Sequence, residues 1–311
     1  MIGEFFTEVL FTANFASMLL RIATPILLAA YGALIFDHTG IRNIGLEGVM
    51  LFSALTGVLF SAWLQSAFWG VLGAIATGVL LSLLFGYCVL KLKAPENLCS
   101  MALNMLAAGG TIFILYVCVG EKGASVTLPS KTIPNIDIPL IKDIPVVGTI
   151  LSGHNLLTYI SLLAAVVVSV MMFHTPLGLR MRAVGENPDA ASSVGIKVDN
   201  MKYLALGLSG VLAGLAGAFM SMGYMTWFVR DMTAGRGFIA IAAEATGRGT
   251  PWGTFLSSLL FALMESLSNA LQPLHVPSEL LRMIPYGTTL ISIMVFAIVT
   301  SRRSKRTAIR R

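Results

Sequence analysis

The sequence predicts an all-α polytopic membrane protein with about eight to ten transmembrane helices, some of them short or broken. Of the 311 residues, 56% are hydrophobic and only 12% are charged, whereas an ordinary soluble domain has roughly 25% charged residues. The apolar residues are gathered into continuous runs that match the length of a membrane-spanning helix, about 20 residues. The short alternating segments of a transmembrane β-barrel are missing from the sequence.

Eight long apolar runs are the candidate crossings. Each suits a helix, because a helix in lipid satisfies its own backbone N–H and C=O groups. The runs cover residues 15–36, 48–65, 67–90, 98–119, 156–173, 203–225, 252–272 and 284–300. A further stretch at 232–249 has a short apolar centre, several glycines and an arginine near each end. We expect this stretch to cross as a short or broken helix.

Basic residues predict the orientation, since cytoplasmic flanks collect Lys and Arg. The tail at 301–311 holds six of the 21 Lys and Arg, so we expect a cytoplasmic C-terminus and a basic tail that anchors at the membrane instead of binding nucleic acid. The basic loop at 174–202 is assigned to the same side. The loop at 120–149 balances three Lys against three acids and holds four prolines, and we expect it outside. Five crossings before residue 174 then leave the N-terminus outside.

Two Gly-interrupted segments form the candidate substrate pathway. They read DHTGIRNIGLEGVML at 37–51 and AGRGFIAIAAEATGRGTPWG at 234–253. Interrupted segments of this kind often line a transporter's binding site, and ionisable residues within the membrane are usually functional because they are costly to bury. The candidate pathway residues in and beside these segments are Asn43, Glu47, Asn104, Phe238 and Glu244.

A structural alternative exists for both pathway carboxylates. Glu47 would pair with Arg42, and Glu244 would pair with Arg236 or Arg248, as ordinary interfacial charges at helix ends. The glycines of GLSGVLAGLAG are assigned to close helix packing for a similar reason, because small residues let membrane helices approach each other. These glycines are Gly207, Gly210, Gly214 and Gly217.

Motifs for chemistry are missing from the sequence. It holds no phosphate-binding loop of the G-x-x-x-x-G-K-[ST] type, no H-E-x-x-H helix and no Cys/His cluster. We therefore expect no catalytic residue, no metal site and no cofactor in this chain. The three cysteines are interpreted as small buried hydrophobes.

A polar stretch, RAVGENPDAASSVGIKV at 182–198, stands between two apolar runs. Asn187 is a natural N-cap, and Pro188 suits the first turn of a helix, where its missing N–H costs nothing. Gly195 is a natural helix stop. The stretch therefore predicts a short surface helix on the cytoplasmic side.

The sequence LGLRMRAVGENPDAASSVGI at 177–196 resembles the coupling loop of ABC importer permeases, which has a G-x-N-P-x-A-A-x-x-x-G-I pattern. Two further stretches, at 39–57 and 94–110, resemble signatures of the branch that transports nucleosides and simple sugars, as does the segment at 234–253. This branch is a subset of the branched-chain amino-acid permease superfamily. Where an aromatic residue and a glycine are expected, the chain has AAEATGRG, so Glu244 departs from the pattern. The residues that match the coupling role are Gly185, Glu186, Asn187, Pro188, Ala190, Ala191 and Gly195.

The resemblance implies a single permease domain over residues 1–311, in the plasma membrane of a bacterial-type cell. Its expected partners are an ATPase subunit that carries ATP and Mg²⁺, a second permease chain of different sequence, an extracytoplasmic substrate-binding protein and membrane lipid. The chain itself would be a transport subunit and not an enzyme. Nucleosides are the favoured substrate. The alternatives are a simple sugar of the ribose type, or a self-contained secondary transporter or channel.

Overall fold

A computed structural model describes residues 12–137 and 152–272, with the isolated positions 148, 287, 288, 291 and 294. The predicted crossing at 284–300, the basic tail at 301–311 and the end of the loop at 120–149 lie largely or wholly outside the described residues. Within these ranges the chain is almost entirely helical, in agreement with the predicted fold class.

Ten α-helices and one two-stranded sheet form the described part of the chain. The helices are α1 (Ala13–Asp37), α2 (Leu46–Trp63), α3 (Ala67–Gly86), α4 (Glu96–Val119), α5 (Leu156–His174), α6 (Pro176–Glu186), α7 (Pro188–Ser193), α8 (Val198–Phe219), α9 (Arg236–Thr246) and α10 (Pro251–Leu271). A π-helical turn extends α3 over Tyr87–Lys91, and another extends α8 over Met220–Tyr224. The strands β1 (Asn135–Ile136) and β2 (His154–Asn155) pair antiparallel.

Seven of these helices are long and apolar enough to cross a membrane, within the described residues. They are α1, α2, α3, α4, α5, α8 and α10, with the π-helical turns completing α3 and α8. Each corresponds to one predicted apolar run, so those seven predictions are confirmed. The predicted short or broken element contains a short helix, since α9 has only 11 residues.

Helix α1 is the centre of the bundle. It is buried continuously from Ile22 to Phe36, and it packs against α5, α8, α9 and α10. A membrane helix that is apolar on all sides and also buried on all sides lies among other helices and not at the lipid boundary. The helices that pack against α1 are therefore positioned by a central helix that is itself buried on all sides.

Glycines bring α8 directly against α2 and α3. A Cβ on Gly210 would lie 2.6 Å from the carbonyl oxygen of Gly78 in α3, and one on Gly214 would lie 2.8 Å from that of Ala74. A Cβ on Gly217 would collide with the carbonyl oxygen of Met50 in α2. The predicted packing role is confirmed at these three positions. Among the described residues it does not hold for Gly207, where a Cβ would meet nothing within 4 Å.

The ends of the helices gather at two opposite faces of the bundle. On the first, which we call the docking face, α6 meets the end of α1: a Cβ on Gly185 would collide with the carbonyl oxygen of His38. On the second, the loop face, Ser61 at the end of α2 donates to the carbonyl of Lys131 at 2.8 Å. The end of α8 is tied to the same loop by the bond from the Ile133 amide to the Met222 carbonyl, 3.0 Å.

Replacing Gly210 by leucine is expected to destabilise the bundle, because the side chain must force α8 away from α3. Overpacking of a tight contact costs about 1–3 kcal/mol, so the thermal unfolding midpoint of the purified chain should fall clearly. Gly207→Leu is the matched control in the same helix, and it should leave the midpoint nearly unchanged. Equal midpoints for the two variants would contradict the packing described here.

Candidate functional site

The two interrupted segments meet at one carboxylate. Glu47 lies in the first turn of α2, and its Oε1 and Oε2 accept hydrogen bonds from the amides of Gly235 and Gly237, at 2.8 Å and 2.6 Å. These amides belong to the start of α9, whose first N–H groups have no partner within the helix. The negative charge also lies at the positive end of the helix dipole. The alternative that Glu47 simply pairs with Arg42 is therefore wrong.

The N-terminal half of α4 forms hydrogen bonds with the first interrupted segment. The amide of Arg42 donates to Glu96 at 3.0 Å, and the amide of Ile44 donates to Ser100 at 3.1 Å. Asn104 accepts from the Gly48 amide at 2.8 Å and donates to the Ile44 carbonyl at 3.1 Å. The irregular backbone between α1 and α2 thus obtains from α4 the partners that lipid cannot supply.

The second interrupted segment crosses in two parts. Helix α9 is about 16 Å long at about 1.5 Å per residue, roughly half of the hydrocarbon core. It begins beside Glu47 and ends near the docking face, where a Cβ on Gly249 would lie 3.2 Å from the ring of His38. The irregular segment before it starts at the loop face, where Val229 bridges to Ala124. The chain therefore passes from one face to the other between α8 and α10.

Asn43 and Glu244 share a cavity at the docking-face end of α9. Both are buried, with 1% and 6% of their surface exposed, and both line a space of about 350 Å³ that also includes Asp37 and Arg248. The Asn43 Nδ2 has no hydrogen-bond partner within the described residues. No ion pair between Glu244 and Arg236 forms, because Arg236 pairs with Glu265 instead.

The structure separates the five pathway candidates. Asn43 and Glu244 lie together in one cavity, whereas Glu47 and Asn104 bind backbone groups of the interrupted segments. Phe238 is 44% exposed on the outer surface of α9, and it does not line that cavity. Four of the candidates therefore lie where the two interrupted segments approach each other, whereas Phe238 does not.

Sequence reasoning missed the ion pair between Arg236 and Glu265. It joins α9 to α10, and both side chains are largely buried, with 10% and 13% exposed. The signal was present, since Glu265 is an acidic residue inside the predicted run at 252–272. An acid in an unbroken apolar run gives no local sign of its partner, which lies 29 residues earlier in the chain.

The predicted surface helix is confirmed as α7. The Oδ1 of Asn187 accepts from the Ala190 amide at 3.0 Å, Pro188 occupies the first turn, and Gly195 adopts φ +87° after the helix. That left-handed conformation favours glycine. Ala191 is 4% exposed and faces the chain's own core. Most of the remaining residues from 186 to 195 are exposed.

Comparison with known proteins identifies the class of this molecule. The family model described as the branched-chain amino acid transport system permease component matches residues 15–299. This chain belongs to that permease family. The ABC permease family predicted from the sequence is thereby confirmed, and the chain is a transport component of a multi-pass membrane type. Permeases of ABC systems work with ABC partners such as an ATPase.

Two relatives agree with this permease assignment, and one solved structure shares the fold. The guanosine ABC transporter permease protein NupQ of Bacillus subtilis (strain 168) is 35% identical over 285 residues, 88% of this chain and 89% of the relative. The nucleoside ABC transporter permease protein NupC of Lactococcus lactis subsp. cremoris (strain MG1363) is 32% identical over 297 residues, 90% and 91% of the two chains. PsaBC from Streptococcus pneumoniae, solved in complex with a Fab, shares the fold, with a TM-score of 0.55 and 17% identity over 94% of this permease and 95% of that chain.

Replacing Glu47 by glutamine is expected to destabilise the permease by about 1–3 kcal/mol, because one of the two α9 amides loses its charged acceptor at a partly buried site. The thermal unfolding midpoint of the purified chain measures the effect. Glu96→Gln is the matched control, since Glu96 accepts only one backbone amide at the edge of the bundle. A smaller loss for Glu47→Gln than for Glu96→Gln would contradict the capping role.

Proposed function

We propose that this chain is the permease subunit of an ATP-driven ABC importer for nucleosides, and that α6 and α7 dock on the ATPase. The carrying observation is α7 itself: a capped helix of small residues stands exposed at the face where the first interrupted segment begins and the second one ends. The names of the two relatives, a guanosine and a nucleoside permease with 35% and 32% identity, support the substrate class.

The contacts offer a direct route from α7 to the interior. Helix α6 leads into α7, and its Gly185 lies against the backbone of His38 and Gly40 with no side chain between them. These residues begin the irregular segment that α4 holds and that ends at Glu47. A movement of α7 would therefore shift this segment and, through the two Glu47 hydrogen bonds, the start of α9. Packed elements with two discrete arrangements transmit such shifts.

The proposed coupling residues fall into an exposed group and a buried group. Glu186, Asn187, Pro188, Ala190 and Gly195 lie on the exposed side, where an ATPase groove would receive them. Ala191 is buried and would seat α7 on its own chain, while Gly185 would pass the movement to α1. The pathway role is assigned to Asn43 and Glu244, with Glu47 and Asn104 holding the segments in place and Phe238 kept as an untested candidate.

The complete importer would contain a second permease, an extracytoplasmic substrate-binding protein and the ATPase, which binds ATP and Mg²⁺ and carries out the hydrolysis. This chain would provide one permease domain over residues 1–311, without a cofactor of its own, in the plasma membrane with its basic tail in the cytoplasm. The side assignment follows from the Lys and Arg distribution.

Transport by the reassembled importer is the direct test. Proteoliposomes containing this chain, its second permease, the ATPase and the binding protein should accumulate labelled guanosine only with ATP, and unlabelled ribose should not compete. Accumulation of ribose instead of guanosine would show that the substrate is a simple sugar and not a nucleoside. Gradient-driven flux through liposomes that contain this chain alone would overturn the importer role and support a secondary transporter or channel.

Crosslinking tests the docking of α7. In a variant without Cys88, Cys99 and Cys118, a cysteine at Ser192 should crosslink to a cysteine in the ATPase groove, with a yield that changes between the nucleotide-free and ATP-bound states. Ser192 is exposed, whereas its neighbour Ala191 is buried, so Ala191→Cys is the matched control and should remain unlinked. If Ser192→Cys stays unlinked in every nucleotide state, α7 is not the docking element.

A further inference from the structure

Two cavities meet at the turn of residues 247–250 that joins α9 to α10, which we call the corner. The inner cavity, of about 350 Å³, is the one that Asn43 and Glu244 share. The outer cavity, of about 450 Å³, lies at the docking face between α6 and the ends of α1 and α5. The residues that line both cavities are Asp37, Arg248 and Gly249. The corner therefore stands between the interior of the bundle and the docking face.

The corner is compact and is joined directly to the start of α10. The hydroxyl of Thr250 donates to the Gly247 carbonyl at 2.7 Å and accepts from the Gly253 amide at 3.2 Å. A Cβ on Gly253 would collide with the Gly247 carbonyl oxygen, so the two backbones are in contact without a side chain between them. A force on the corner would therefore move the end of α9 and the start of α10 together.

The ring of His38 lies against the corner. Its Nδ1 donates to the Leu34 carbonyl at 2.8 Å, which fixes the ring at the end of α1. A Cβ on Gly249 would lie 3.2 Å from the ring Cε1, so the ring meets bare backbone there. On another side, Phe173 of α5 contacts the ring edge-to-face, with 6.0 Å between the ring centres. The ring therefore fills the space between α5 and the corner.

Helix α6 reaches His38 by two contacts. A Cβ on Gly185 would collide with the His38 carbonyl oxygen, so the backbone of α6 lies directly on that of His38. Arg182, also in α6, places its guanidinium carbon 4.8 Å from the centre of the Phe173 ring. Phe173 in turn contacts the His38 ring. Both contacts of α6 thus end at the same histidine, which itself touches the corner.

We propose that His38 is a positioning residue of the transport cycle: its ring transmits the movement of α6 to the corner, and the corner opens or closes the inner cavity toward the docking face. The inference rests on the proposed coupling to an ATPase. It adds a second connection, at the end of α9, to the one that reaches the start of α9 through Glu47. Because both ends of α9 are then connected to α6, this short helix would shift as one unit.

The transmitting contact is steric and not electrostatic. Gly249 presents only backbone to the ring, and the hydrogen bond to Leu34 stays within α1, so it carries no movement to another helix. Close-packed groups transmit displacement because no space between them can absorb it. A small side chain in place of His38 would leave such a space. The shape of the ring, and not its nitrogen atoms, is therefore the property that matters.

Uptake and ATP hydrolysis measured together test the role of the ring. In the reassembled importer, His38→Ala should lower ATP-dependent guanosine uptake about tenfold, as expected when a contact that couples two sites is lost, while ATP hydrolysis per assembled complex falls much less. His38→Phe keeps a ring against the corner and should retain most of the uptake. His174→Ala is the matched control, because His174 is exposed at the end of α5, and it should change neither quantity. Equal losses of uptake in His38→Ala and His38→Phe would overturn the steric role.

Access to the inner cavity tests the corner without any transported substrate. Complexes that lack the native cysteines are reconstituted in proteoliposomes, and nucleotide and a membrane-impermeant thiol reagent are added on the ATPase side. Ile241→Cys lines the inner cavity, and its reaction rate should differ at least about fivefold between the nucleotide-free and ATP-bound states, the lower end of coupling between two sites. The difference should disappear with His38→Ala and persist with His38→Phe. Lys91→Cys, exposed at the end of α3, controls for the reagent and should behave alike in all three backgrounds.

The outcomes separate this inference from the proposed function. A rate at Ile241→Cys that nucleotide leaves unchanged, with His38 in place, overturns the opening of the corner. A purely structural histidine gives another result: His38→Ala lowers the amount of complex in the membrane, and the complex that forms keeps its normal ratio of uptake to ATP hydrolysis. Either finding overturns the inference while the importer role stands. Failure of the unmodified importer to accumulate guanosine removes the proposed substrate instead, and the labelling of Ile241→Cys still decides whether the corner opens.

Discussion

The structure depends on one constraint: backbone N–H groups inside a bilayer must find partners within the protein, because lipid offers none. The chain breaks helical structure twice within the bundle, before α2 and before α9. The break before α2 is satisfied by Glu96, Ser100 and Asn104 of α4. The break before α9 is satisfied by Glu47 in the first turn of α2, which accepts two amides from the start of α9. Without this carboxylate, the start of α9 would carry unpaired donors.

The centre of the molecule combines tightly packed helices with irregular segments that are held by few hydrogen bonds. Helix α1 is a buried spine, and the glycine contacts between α8 and its neighbours leave no space for independent sliding. The irregular segments beside α1 are held only by a few polar bonds to α4 and to Glu47. Under the proposed coupling, movement would be concentrated at these segments, because they lie between α7 and the cavity that Asn43 and Glu244 share. A rigid bundle with a joint at its centre suits alternating access.

The limits of sequence reasoning are clear from particular residues. The seven helices were predictable because each needs a long apolar run, and α7 was predictable because its cap, proline and glycine are local signals. Glu47 was singled out by its position in a Gly-interrupted segment, but its partners lie 188 and 190 positions away, and the suggested pairing with Arg42 was wrong. Glu265 was overlooked because an acid in an unbroken helix gave no local sign that it faces Arg236.

The sequence by itself therefore determined that this chain crosses the membrane repeatedly, which segments cross, and that a capped surface helix joins two of them. These properties follow from the solvent and from short-range hydrogen bonding, which act on consecutive residues. Only the tertiary structure decided which polar groups satisfy one another. That depends on how helices far apart in the chain are brought together, so it distinguishes Glu47, whose oxygens accept backbone amides of α9, from Glu265, which pairs with the Arg236 side chain.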